Sequence, residues 1–126
     1  MKNLSQLAIL ITLLLFFNCG EIDKKVVSLK NDDKNLTILN LENDKYLING
    51  KYHSDKKPQT DYIKADNLLE WHSGLARWNE NQIEIYYHYG AFDTLASNGK
   101  LKIIKVSTKE FEELKKDSIN YIYFYY

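Results

Sequence analysis

A single cysteine, Cys19, stands in 126 residues. It leaves no partner for an intrachain disulfide and excludes any multi-thiolate metal site. One proline and five glycines exclude collagen-like and Pro/Gly-rich low-complexity chains. No sign of charge dominates: 17 basic residues face 17 acidic ones. A nucleic-acid binder that works through a broad positive field is therefore excluded. No apolar run reaches the ~20 residues that a membrane-crossing helix requires. The three histidines, His53, His72 and His88, fall on separate segments and lack the short fixed spacing of zinc ligands. No phosphate-binding glycine loop and no nucleophile elbow occur. These absences lead us to expect neither a metal nor a cofactor, and a chain that is not an enzyme.

What is present begins at the N-terminus. Lys2 supplies a positive charge, and residues 7–17 read LAILITLLLFF, with Thr12 the one non-apolar position. Asn18, Cys19 and Gly20 follow, and the chain turns polar at once with Glu21, Asp23, Lys24 and Lys25. A positive start and an apolar stretch of ~7–15 residues describe a secretory signal peptide. Phe16, Phe17 and Asn18 do not suit the ordinary leader peptidase, which prefers small residues before its cut. A cysteine directly after the apolar stretch resembles bacterial lipoprotein precursors. In that family the usual pattern is Leu, a small residue, Gly or Ala, then Cys; here it is Phe16-Phe17-Asn18-Cys19. The resemblance covers about the first 20 residues. It implies that Cys19 is acylated and becomes the mature N-terminus. It also implies that the protein is held to the membrane of the cell envelope, and Gly20 after the cysteine resembles lipoproteins delivered to the outer membrane. Two or three acyl chains hold stably where one alone is marginal. The organisation expected is a signal peptide over 1–18, a lipid-anchored tether over 19–34 running into a first strand near Val26 and Val27, and one domain over 35–126.

Strand signals dominate that domain. Residues 36–41 are β-branched and apolar. Asn49-Gly50 lies between residues 46–48 and 51–53, and such a pair predicts a tight hairpin. Residues 68–78 read as extended with a bend at Ser73-Gly74, and residues 79–81 as a turn. From Gln82 to Tyr89 side chains alternate, Ile83, Ile85, Tyr87 and Tyr89 against Glu84, Tyr86 and His88. Asn98-Gly99 predicts a second hairpin leading into residues 100–106. Ser107 and Glu110 form a capping box for one short helix over 108–116. The chain closes on a strand over 119–126, with Tyr121, Tyr123 and Tyr125 on one face and Ile122, Phe124 and Tyr126 on the other. The fold class is α+β: a mostly antiparallel sheet, as a sandwich or small barrel, with one helix before the last strand.

Ten tyrosines suit strand packing, and tyrosine also supplies rigid area for contact at low entropy cost. Arg77 is the sole arginine and can stack or bind in a bidentate way that lysine cannot. Ser73, Arg77, Trp78, Tyr86 and His88 are the expected contact face. The function expected is non-catalytic binding of a protein or cell-wall partner, with no nucleic acid. Residues 73–78, SGLARW, followed by a tyrosine-rich strand and Gly90, resemble the loop and strand of membrane-bound lysozyme inhibitors. The match spans six residues with Leu75 inserted and lacks that family's disulfide. It implies that Ser73 and Arg77 protrude on a loop able to enter a lysozyme cleft. A small envelope hydrolase is the remaining alternative; it requires a deep pocket with at least two perturbed ionisable groups.

Overall fold

Alternating apolar residues and a few turn residues assemble two open β-sheets, in a computed structural model that describes residues 22–28, 34–41, 44–59, 61–65 and 72–126. In chain order the elements are β1 (Ile22–Ser28), β2 (Asn35–Leu41), β3 (Asp44–Asn49), β4 (Tyr62–Ala65), β5 (Ser73–Asn79), β6 (Gln82–Tyr87), β7 (Phe92–Asp93), β8 (Leu101–Lys105), α1 (Thr108–Lys115) and β9 (Ile122–Tyr125). The first sheet has the order β1-β2-β3-β4-β7 and the second β8-β6-β5-β9. Neither closes on itself, so of the two expected architectures the sandwich is realised and the barrel is not.

The main core lies between the sheets. Val27, Leu36, Ile38, Leu47, Ile63 and Ala65 of the first meet Ala76, Ile83, Ile85, Leu101, Phe124 and Tyr126 of the second. The period of two in each strand places these residues inward and their neighbours outward. Part of each outer face is covered. Leu39, Tyr46 and Ile48 on the far side of the first sheet pack with Tyr52 from the loop 51–59, which Lys24 fastens to β1 through Asp55 at 2.9 Å. On the second sheet Leu75 and Phe111 are buried outside the main core, where α1 crosses.

The two ends of the sandwich differ. Ile22 pairs with Leu41, Leu41 with Asp44, Lys45 with Ala65 and Ala65 with Phe92. These residues mark a lower end. The Phe92 ring lies 4.8 Å from Tyr87 and 5.5 Å from Tyr126, so the second sheet's β6 and β9 finish there too. Asn35, Asn49 and the β5–β6 turn share a cleft at the upper end.

Several expectations are corrected. Among the described residues the first sheet already includes Ile22, ahead of the expected start at 35: β1 keeps seven-residue register with β2, so the segment read as a tether carries an edge strand. Gly50 does take a positive φ of 89°, but residues 51–53 do not return as a strand. Its amide donates to the Asn35 carbonyl at 2.7 Å, its carbonyl accepts from Thr37 Oγ1 at 2.6 Å, and Thr37 Oγ1 accepts from the Tyr52 amide. These bonds tie the turn to β2, and β4 becomes the next neighbour of β3. Gly99 likewise has a φ of 89°, yet β8 runs parallel to β6 because the chain first visits the other sheet as β7. β5 passes through Ser73 and Gly74 as a regular strand, while residues 68–71 of the expected extended segment lie outside the described residues. β9 starts at Ile122 because the Asp117 carboxylate accepts from the amides of Ile119 and Asn120, holding those residues in a turn. Thr108–Lys115 forms the helix as expected, with Ser107 Oγ accepting from the Glu110 amide at 3.1 Å.

Candidate functional site: the outer face of the second sheet

Arg77 sits on β5 and faces Glu84 across the ladder with β6. β9 pairs with the other side of β5 and brings Tyr121 alongside. The Arg77 Nη1 donates to the Tyr121 hydroxyl over a long 3.5 Å, and the guanidinium lies 5.8 Å from the Tyr121 ring centroid, within cation–π range. Tyr121 in turn makes an edge-on contact with Tyr86 at 5.4 Å. The Tyr86 hydroxyl donates to Glu84 Oε2 at 2.7 Å. One cation, one carboxylate and two phenols thus form a connected patch, carried by two adjacent strands and by Tyr121 just before β9. The hydrogen bond to Tyr121 raises the already high pKa of Arg77, so its charge is permanent.

The Tyr86 phenol is pushed up to about 12, first by burial and then by its bond to Glu84. Its folded value lies above its unfolded one, so the neutral phenol contributes stability below pH ~10. That contribution is lost as pH rises toward 12, because the unfolded chain ionises first. Tyr86→Phe should therefore show a shallower loss of stability between these pH values than wild type. Denaturant melts at successive alkaline pH check this, and identical slopes would count against it.

The five expected contact residues do not form one face. Arg77 and Tyr86 come together. Ser73 shares their side of the sheet but lies at the lower end, opposite Tyr125. His88 is half-buried: its ring stacks 4.4 Å from Phe111, and its Nδ1 lies 3.3 Å from Thr108 Oγ1, fastening the helix start to the end of β6. Trp78 turns inward against the main core, and its buried indole nitrogen has no hydrogen-bond partner. Alternation explains the split, since Arg77 and Trp78 are consecutive on a strand. Tyr121 was not among the expected residues. Its alternation with Tyr123 and Tyr125 was visible, but its place beside Arg77 depends on the pairing of β9 with β5.

Ser73 and Arg77 lie within a strand whose residues pair with β9, β6 or both, not on a projecting loop. The requirement of the lysozyme-inhibitor resemblance is not met. The upper-end cleft measures about 180 Å³ and is lined by Lys34, Asn35, Asn49, Gly50 and residues 78–83. Its ionisable groups are Lys34 and Glu80, both exposed. Among the described residues no three His, Cys, Asp or Glu side chains gather as metal ligands would. Comparison with protein-family models, curated proteins and solved structures finds no match to this chain.

Proposed function

We propose that the protein is a lipid-anchored lipoprotein of the cell envelope, held at the outer membrane through an acylated Cys19, whose domain binds a macromolecular partner without catalysis. The observation that carries the binding reading is the Arg77–Tyr121–Tyr86–Glu84 patch. It joins the chain's one arginine and Tyr86, both on paired strands, to Tyr121 just before β9, and these are residue types that dominate binding hot spots. Strand mounting keeps the ordering cost of contact low. Anchoring raises the local concentration against partners on the same surface. Trp78 and His88 drop out of the proposed face because both are engaged in internal packing.

The test is capture of envelope proteins and cell-wall fragments by the full-length chain from detergent extracts. Wild type should enrich a specific partner. Arg77→Ala combined with Tyr86→Ala should reduce that capture by 10-fold or more, as two hot-spot truncations of ~1–2 kcal/mol each imply, with folding preserved by circular dichroism. Equal capture by both proteins would remove the face from consideration. Incorporation of a labelled fatty acid, absent from Cys19→Ser, tests the anchor separately.

A further inference from the structure

The start of β1 determines how far the domain can stand from its anchor. Cys19 precedes Ile22 by three residues, and a fully extended chain spans at most ~3.6 Å per residue. Their Cα atoms are therefore no more than about 11 Å apart. Ile22 is locked into the first sheet by its pairing with Leu41, so no loose tether intervenes after it. We propose that the lower end of the sandwich lies directly on the lipid headgroups and that the upper end points away from the membrane. This rests on the acylated Cys19 proposed above.

A second observation agrees with the first. Of the six large apolar side chains exposed among the described residues, Ile22, Tyr89 and Tyr125 lie at the lower end. Tyr89 stands beside His72, with ring centroids 5.3 Å apart, and His72 exchanges backbone bonds with Tyr126. Tyr125 faces Ser73, the first residue of β5. Ile22 belongs to one sheet and the two tyrosines flank the end of the other, so both layers offer apolar surface at the same level. Tyrosine suits the headgroup region because its ring is apolar and its hydroxyl stays wet. Lys45, Lys64 and Lys105 at this end, the last level with Tyr87, are set against Asp23 beside Ile22, Asp44 and Asp93, and Lys64 lies 3.3 Å from Asp44. The surface thus makes no special demand for anionic lipid, and a zwitterionic bilayer suffices.

The orientation sorts the rest of the molecule. Strands rise ~3.3 Å per residue, so Arg77 sits about 13 Å above Ser73 and the β5–β6 turn about 20 Å above it. The Arg77 patch and the upper cleft are then presented to partners away from the bilayer.

Because Cys19 is the chain's one cysteine and its thiol is consumed by acylation, an introduced cysteine can be labelled alone. Ile22→Cys, Tyr89→Cys and Glu80→Cys, each in the full chain purified from expressing cells, would carry a nitroxide. They would be placed in phosphatidylcholine vesicles with and without a nickel-chelating lipid. Strong nickel-dependent relaxation is expected at positions 22 and 89, and little at position 80. Equal effects at the three positions, or the strongest at 80, would overturn the orientation. A second label found on Cys19 by mass spectrometry would instead overturn the anchor, and the orientation with it.

Discussion

Phe124→Ala is expected to lower stability by about 3–5 kcal/mol, the usual cost of removing a buried phenylalanine. Phe124 is 1% exposed and sits in the main core with Ala76, Ile83 and Tyr126. Its ring lies 5.9 Å from Tyr126, so the cavity would open beside another aromatic on the same edge strand. A four-residue strand with one neighbour in its sheet has few other contacts with which to collapse the gap. Against a total stability of ~5–15 kcal/mol, such a loss approaches the whole at the lower end. Urea unfolding of the variant checks the value. A change below about 1 kcal/mol would mean that β9 is not integral to the core.

Gly74→Ala is expected to destabilise by about 1–3 kcal/mol through overpacking. Gly74 pairs with Phe124 across the ladder, and a Cβ built on it would lie 2.7 Å from Phe124 Cζ and 3.0 Å from Cε1. The aromatic ring occupies the space that a side chain would need. Its φ is not in the left-handed region, so the constraint is steric alone. The two substitutions must then be coupled. In a Phe124→Ala background the ring is gone, and Gly74→Ala should cost little or become favourable, since alanine suits a strand interior better than glycine. A double-mutant cycle reads this directly. Additive effects would show that the ring does not rest on Gly74.

The elements of the candidate site were legible, but their association was not. Alternation around Ile83 and Ile85 correctly placed Glu84 and Tyr86 together, because strand period is a local property. The same rule separates Arg77 from Trp78, and grouping them as one face overlooked it. Tyr121 reaches Arg77 because β9 lies beside β5, a contact between residues 44 positions apart. No local signal encodes that adjacency. His88 looked free on its strand and became a packing residue once α1 folded over it.

Local chemistry determined what each segment is. Ser107 and Glu110 set the helix start through the cap, alternation set the inward residues of β6 and β9, and the turn at residues 79–81 separated β5 from β6. The leader-like start and Cys19 supplied the expected address. Tertiary structure decided which strands meet. Asn49-Gly50 has the torsion of a hairpin turn, yet Thr37 and Asn35 bind it to β2. Gly99 has the positive φ of the expected hairpin, yet no hairpin forms there and β8 enters parallel to β6. Both glycines govern backbone geometry over two or three residues, whereas the choice of partner depends on burying whole faces between the sheets. The same non-local demand drew β1 into the first sheet, where Val27 is 6% exposed against the main core.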